Sequence, residues 1–440
     1  MKHRRRGERP GGVRYLVLAW LCLAAMIAYV ARQSLGVAES TVRRDLGLTE
    51  EQMGSIMAAF FLTYALAQVP SGWLVHRWGT RRLLPWLAVA WSAATAAVGL
   101  APGAGALLAA RWTSGLAQAG LFPASTSTVA RWFSARERAI ANGALACFMS
   151  LGGAGGVALT GILLGFMCWR LVFLPYGIAG CLWALGFALW FRDRPESHRA
   201  VGDAELRHIR GGDAERPAEA PPSSPPATPW LAIASSPAVW WICGQQFFRA
   251  AGNIFFATWY ATYLQQAHGV SVKESGLFTT LPILAVAVGS LLGGAVSDAV
   301  LARTGSRRLA RQGVATASLV ACGSLVFLAS LASGVTLEVL IVTAGMFCFA
   351  LGSPCAYTIT IDMGGSHVAT VFSVMNMSGN IGAMLFPYVV PRFKALTGSW
   401  ESVLFLFGSM FLAAAFCWSR LRPEGTVFDQ ALLGKRKAAS

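Results

Sequence analysis

The sequence predicts an all-α membrane protein of twelve transmembrane helices in two pseudo-symmetric six-helix bundles, and three observations carry that prediction. First, 55% of the 440 residues are hydrophobic and only 13% charged, with a mean hydropathy of +0.53. That is more apolar surface than a soluble core of this length buries. Second, unbroken apolar runs of about 20 residues recur, the length a helix needs to cross roughly 30 Å of hydrocarbon; a β-barrel would show short alternating segments instead. Third, the second half of the chain echoes the first at a constant spacing.

The first run, about residues 15–38, follows Arg14 and carries Arg32 near its end; it is too long for a cleaved leader and suits a retained helix. Runs near 51–74, 83–101, 104–128, 138–164 and 171–191, each bounded by charge or by Gly/Pro, complete a first bundle over 15–191. Residues 192–237 hold seven of the 19 prolines between Pro195 and Pro229 together with mixed charge, and read as a linker with too little apolar surface to fold alone. Runs near 238–266, 274–299, 312–332, 336–360, 367–391 and 400–420 make a second bundle over 238–420, leaving tails at 1–14 and 421–440. Glycine pairs Gly54/Gly276 and Gly72/Gly294 stand at the same offset of 222, the basic clusters RWGTRR (77–82) and RTGSRR (303–308) follow them, and Trp169 and Trp400 precede the last run of each half. A doubled six-helix unit with a path at its interface is the pattern of a secondary transporter.

The net charge of +16 reports topology rather than nucleic-acid binding: 27 of the 36 Lys/Arg fall on one side of the predicted array and six on the other. The positive-inside rule then places both termini in the cytoplasm of a multi-pass protein of a bacterial inner membrane. The terminal KRK at 435–437 reads as a solvated end. Nine cysteines lie almost wholly within apolar runs, without CxxC or Cys/His clustering, and read as packing residues; no metal or cofactor is expected. Nucleophile elbow, HExxH and P-loop motifs are lacking, so an enzyme is not expected.

The remaining three cations, Arg32, Arg111 and Arg249, fall inside runs. Each opposes insertion by about 2.5–3.5 kcal/mol at a helix centre. The acids Glu39, Asp298, Glu338 and Asp362 sit near run ends, so the interior is positive without native counterions, and a ligand anion is the natural partner. Helical spacing puts Tyr29 on the face of Arg32, Ser114 and Gln118 on that of Arg111, Asn253 on that of Arg249, and Asn376 with Asn380. With Tyr64, Gln245 and Tyr260 these predict a polar cavity whose amides and phenols bind substrate hydroxyls.

The stretches YVARQSLGVA (29–38), GWLVHRWGTRR (72–82), RWTSGLAQAGLFPA (111–124), RWFSARERAIANG (131–143) and VMNMSGNIGAMLFP (374–387) resemble the major facilitator superfamily, in particular its anion:cation symporter branch of hexuronate, galactonate and glucarate transporters and the sialin and vesicular glutamate group. The resemblance implies that Arg32 and Arg111 face a central cavity and bind the substrate's acidic group, and FFRAAGNIFF (247–256) resembles the arginine-bearing seventh helix of the vesicular glutamate transporters. It also implies that Gly72, His76, Arg77, Gly79 and Arg81 form the gating loop motif, with Asp298 in the second half. Three positions depart from the family. Ala31 and Gln118 stand where bacterial relatives often carry coupling carboxylates, so proton symport by that route is not expected, and the coupling ion, proton or sodium, stays open. His76 stands where the loop motif has aspartate, predicting a balance shifted toward the inward-facing state unless Asp298 compensates. The expected function is alternating-access transport of a small organic anion, a sugar acid or other carboxylate, by a monomer in the lipid bilayer. The alternatives are an exporter of a lipophilic compound and a non-transporting anion sensor.

Overall fold

In a computed structural model, which describes residues 11–210 and 228–429, every predicted apolar run is helical, and no strand occurs among the described residues. The first bundle comprises α1 (Val13–Asp45), α2 (Glu50–Trp78), α3 (Thr80–Gly99), the pair α4 (Ala104–Gln118) and α5 (Leu121–Trp132), α6 (Arg138–Leu164) and α7 (Trp169–Trp190). Short helices α8 (Asp203–Arg210) and α9 (Trp230–Ser235) follow. The second bundle comprises the pair α10 (Pro237–Thr258) and α11 (Tyr260–His268), then α12 (Val272–Thr304), α13 (Val314–Ala329), α14 (Val335–Gly364), α15 (Val368–Thr397) and α16 (Trp400–Arg420).

Eight stretches are long and apolar enough to cross a membrane by themselves, one of them running through α14 and α15. The other passes are α3 and the two broken pairs, which carry Arg111 and Arg249. The run predicted at 104–128 is thus interrupted at Ala119–Gly120 and extends to Trp132. Gly120 is pressed there against α2 and α3, where an added Cβ would run into Leu87 and touch Ser71.

The 222-residue echo extends to helix entry. Thr49 and Gln52 form a reciprocal capping box at the start of α2, and Ser271 and Glu274 form the same box at the start of α12. Each satisfies two amide donors that the first turn leaves without partners.

The bundles meet along α2–α15 and α6–α12, and among the described residues the cross-bundle hydrogen bonds gather on one half of the molecule, the basic face. Asn142 donates to Thr358 Oγ1 at 3.0 Å, Arg138 to Asp362 at 3.4 Å, and Arg311 to the Ala135 carbonyl at 2.9 Å. The repeated glycines make this closeness possible: a Cβ on Gly72 would lie 2.6 Å from the Ala369 carbonyl oxygen and inside Ser373, and one on Gly294 would lie 2.5 Å from the Ala139 carbonyl. Gly72→Ala and Gly294→Ala should each disfavour this closed seam by about 1–3 kcal/mol. Labelling of seam positions by a membrane-impermeant reagent should rise accordingly; unchanged labelling would show that the seam yields without strain.

The predicted linker is more ordered at its start than its composition implies. Glu205 of α8, fully buried, accepts hydrogen bonds from the Val13 and Arg14 amides at 3.3 and 3.0 Å, so it caps α1 from 192 and 191 residues away in the chain and faces the positive end of that helix. Arg14 also reaches Glu137, as does His208 from α8 at 3.1 Å. Against the cost of burial, the His208 hydrogen bond and the Arg14 charge hold Glu137 below the usual carboxylate range. One capping acid therefore anchors a segment that lacks an apolar core. Glu205→Ala should cost about 1–3 kcal/mol and release α8, read as a lower melting temperature and faster hydrogen exchange over 203–210. The proline-rich remainder of the linker, the first ten residues and the KRK tail lie outside the described residues.

Candidate functional site

The three intramembrane arginines lie in half-buried or buried positions lined by rings and amides. Arg32, on α1, packs its guanidinium over three rings, those of Tyr29, Tyr64 and Phe60, at 4.3, 4.6 and 4.8 Å from their centroids. It also donates to Gln118 Oε1 from Nε at 3.3 Å and from Nη2 at 3.2 Å. Arg111, on α4, lies over the same Phe60 ring at 4.6 Å, close enough to Arg32 for the two cations to repel. Its Nε has no hydrogen-bond partner among the described residues. Cation–π contacts of about 0.5–2 kcal/mol each offset part of the desolvation cost but do not neutralise charge.

Arg249, on α10 in the other bundle, donates to Gln246 Oε1 at 3.1 Å and to Ser353 Oγ at 2.9 Å, packs 5.2 Å from the Phe349 centroid and has the Tyr357 phenol beside it. Tyr357 in turn lies 6.4 Å from Phe122 of α5, which stands edge-on to Tyr29 at 6.2 Å. A chain of rings thus links the two arginine groups across the bundle interface. Among the described residues none of the three arginines pairs with a carboxylate. The arrangement can take up one or more negative charges, and Gln118, which cannot titrate, orients Arg32 where a carboxylate would have neutralised it.

The other predicted cavity residues divide. Tyr29, Tyr64 and Gln118 join the arginine group. Asn253 is half-buried on α10, one turn from Arg249. Asn376 and Asn380 are half-buried on α15, where the Asn380 amide donates to the Asn376 carbonyl at 2.8 Å. Gln245 is fully buried and donates to its own helix at the Ile242 carbonyl, so the neighbouring Gln246 serves Arg249 instead. Tyr260 is a correction: it is fully buried in the second bundle among Phe255, Phe256 and Tyr263, outside the arginine group. The break at Trp259 ends the helical phase set by Arg249, and α11 turns Tyr260 into an aromatic core. Tyr263 of that core is bonded to His268, which pairs with the buried Glu338 at 2.7 Å.

Sequence reasoning missed Phe60, Gln246, Phe349, Ser353 and Tyr357. Gln246 was accessible to it, standing three residues before Arg249. The α14 residues stand 100 or more positions from Arg249 in the chain, and only packing brings them there.

At the basic face the residues of the predicted gating motif form two unequal contacts. Asp298 accepts from the Ile140 amide at 2.7 Å, facing the start of α6 across the seam, and pairs with Arg311 at 2.9 Å. The position 222 residues earlier is His76, whose ring lies 4.5 Å from that of His367, at the start of α15. One helix start is thus faced by an acid and its counterpart by an imidazole. Within the first bundle Asp193 faces the loop: it accepts from the amides of Thr80 and Arg81 at 2.8 and 3.1 Å, beside Gly79, whose φ of +79° suits glycine. Arg77 lies over the Trp73 ring at 5.5 Å. The buried Arg311 binds both Asp298 and Asp362, the latter at 3.1 Å.

Comparison with known proteins shows what the chain is similar to. The chain is 30% identical over 418 residues, 94% of its length and 95% of the relative's, to a probable sulfoacetate transporter of Cupriavidus necator. It is 31% identical over 399 residues, 87% of its length and 89% of the relative's, to a D-galactonate transporter of Escherichia coli. Among solved structures, a proton:xylose symporter superposes with a TM-score of 0.73 at 13% identity, covering 96% of this chain and 98% of that one. The human organic anion transporter MFSD10 superposes with a TM-score of 0.69 at 16% identity, covering 93% and 100%; both likenesses concern the fold. The family model described as Major Facilitator Superfamily matches residues 21–387 and 245–437, and the chain belongs to that superfamily.

Proposed function

We propose that this protein carries a small organic anion, a sugar acid or another carboxylate or sulfonate, across the membrane by alternating access. The observation that carries the proposal is three guanidinium groups with no paired carboxylate among the described residues, two from the first bundle and one from the second. The names of the relatives, transporters of sulfoacetate and D-galactonate, support the same substrate class. Arg32 and Arg111 bind the acidic group; Arg249, with Asn253, Asn376 and Asn380, receives the remainder of the substrate from the opposite bundle. Rocking of the bundles 15–191 and 238–420, acting as a monomer, exposes the site to each side in turn. The basic face is the cytoplasmic one, with both termini there, in a bacterial inner membrane; it is closed in the conformation described above. Gly72, His76, Arg77, Gly79, Arg81 and Asp298 govern that closure, and Asp298 offsets the loss of the loop aspartate at His76.

Because Ala31 and Gln118 cannot titrate, proton movement does not pass through the positions used by relatives; exchange or coupling to another ion drives flux. Uptake of sugar acids, sulfonates, dicarboxylates and phosphate into proteoliposomes, with and without pH and sodium gradients, tests both parts. Saturable uptake of one anion class is expected, insensitive to Gln118→Ala in its pH dependence. Binding without flux would favour a sensor.

A further inference from the structure

The seam at the basic face holds a second concentration of arginines, Arg131, Arg138 and Arg307, none of them on the helices that carry Arg32, Arg111 and Arg249. A cavity of about 320 Å³ opens between the bundles, lined from the first by Ser127, Arg131 and Arg138 and from the second by Arg307, Asp362 and Ser366. An adjoining cavity of about 470 Å³ shares Arg131, Arg138 and Arg307 and adds Arg136 and Arg210. Such volumes match small-ligand sites.

The charges do not cancel. Asp362, the acid of the first cavity, has both oxygens engaged, Oδ1 by Arg138 at 3.4 Å and Oδ2 by the buried Arg311 at 3.1 Å. Among the described residues Arg131 pairs only with Asp193, at 3.8 Å, and that carboxylate already accepts two backbone amides. The Arg138 Nε is buried without a hydrogen-bond partner among the described residues. Arg307 lies near enough to Arg138 to repel it, and no hydrogen bond or ion pair engages it among the described residues. In the adjoining cavity Glu196 is taken up by Arg210 at 2.9 Å.

We infer that this cleft is a second anion-binding site for a compact oxyanion of the phosphate type, free or as a lipid headgroup, which bridges Arg131 and Arg138 of one bundle to Arg307 of the other. The forked donors of arginine suit phosphate oxygens, and Ser127 and Ser366, from opposite bundles, line the same cavity. Because its walls come from both bundles, the cleft exists only while the seam is closed, so a bound anion holds the carrier shut on that face. Intracellular oxyanion thereby restrains transport. This consequence rests on the transport function proposed above; the binding does not.

The test uses the full chain, purified in neutral detergent and in nanodiscs of phosphatidylcholine with or without phosphatidylglycerol. Inorganic phosphate and pyrophosphate are titrated while melting temperature and hydrogen exchange over 361–368 are followed. A rise of about 2 °C at tenfold excess over Kd, with slowed exchange at the seam, is expected. Arg131→Gln/Arg307→Gln should weaken that response at least tenfold, and Arg131→Lys/Arg307→Lys should retain part of it, separating charge from loss of fold. Arg32→Gln/Arg111→Gln should leave it intact, so failure of the central site is distinguished from failure of this one. Protection by pyrophosphate in phosphatidylcholine marks a free oxyanion; protection by phosphatidylglycerol that pyrophosphate does not increase marks a headgroup. A response absent from the parent, or abolished by the central substitutions but not by those of the cleft, would overturn the inference.

Discussion

Arg32→Gln/Arg111→Gln is expected to abolish measurable uptake, and each single substitution to weaken substrate binding by roughly 30- to 150-fold. The size follows from the loss of one charge-assisted hydrogen-bonding group, about 2–3 kcal/mol. Arg32→Lys should recover only part of the affinity, because lysine keeps the charge but not the fork, and the amine cannot lie flat over Tyr29, Tyr64 and Phe60 while donating to Gln118. Binding and flux measured on one preparation separate anchoring from movement. Neutralisation of both arginines without effect on any cargo would remove the basis for the proposed site. The same substitutions should leave folding intact or improve it, since each takes an unneutralised cation out of the membrane interior.

The opposite effect is expected at Arg311. This side chain is fully buried and binds Asp298, Asp362, Ser297 and the Ala135 carbonyl. Arg311→Met leaves two buried carboxylates without their shared cation, at a cost of about 3–5 kcal/mol. The melting temperature should fall, and the seam at the basic face should open to impermeant label. Adding Asp298→Asn and Asp362→Asn should restore most of the stability, because the damage lies in the uncompensated charge rather than in the missing contact. A triple variant as unstable as Arg311→Met would show that packing of the guanidinium, and not electrostatics, holds the seam. The two arginine sites thus share a residue type and differ in accounting: Arg311 is matched by native acids and serves structure, whereas Arg32, Arg111 and Arg249 are not.

That difference was partly legible before any fold was known. Arg32, Arg111 and Arg249 interrupt apolar runs that hold no acid, whereas nothing in the sequence marks Arg311, whose partners Asp298 and Asp362 are supplied by packing. Tyr29 and Gln118 followed from helical spacing, since residues three or seven apart share a face. Tyr260 was misplaced because a helix break at Trp259, invisible in an aromatic run, resets the face on which it lies. Glu205 and Asp193 were passed over as ordinary loop acids. Each acts on a backbone amide more than 100 residues away, an interaction without periodicity to betray it.

Hydropathy, length and the 222-residue repeat were sufficient by themselves to determine a helical membrane protein of two related bundles with a positive interior, because crossing a bilayer is a requirement each segment meets alone. Only the tertiary structure decided which acids answer which cations, that Asp298 and His76 stand at matching places opposite different helix starts, and that a basic cleft spans the seam. Those outcomes depend on the packing of helices distant in the chain, where a side chain's partner is set by shape and approach rather than by the residues beside it.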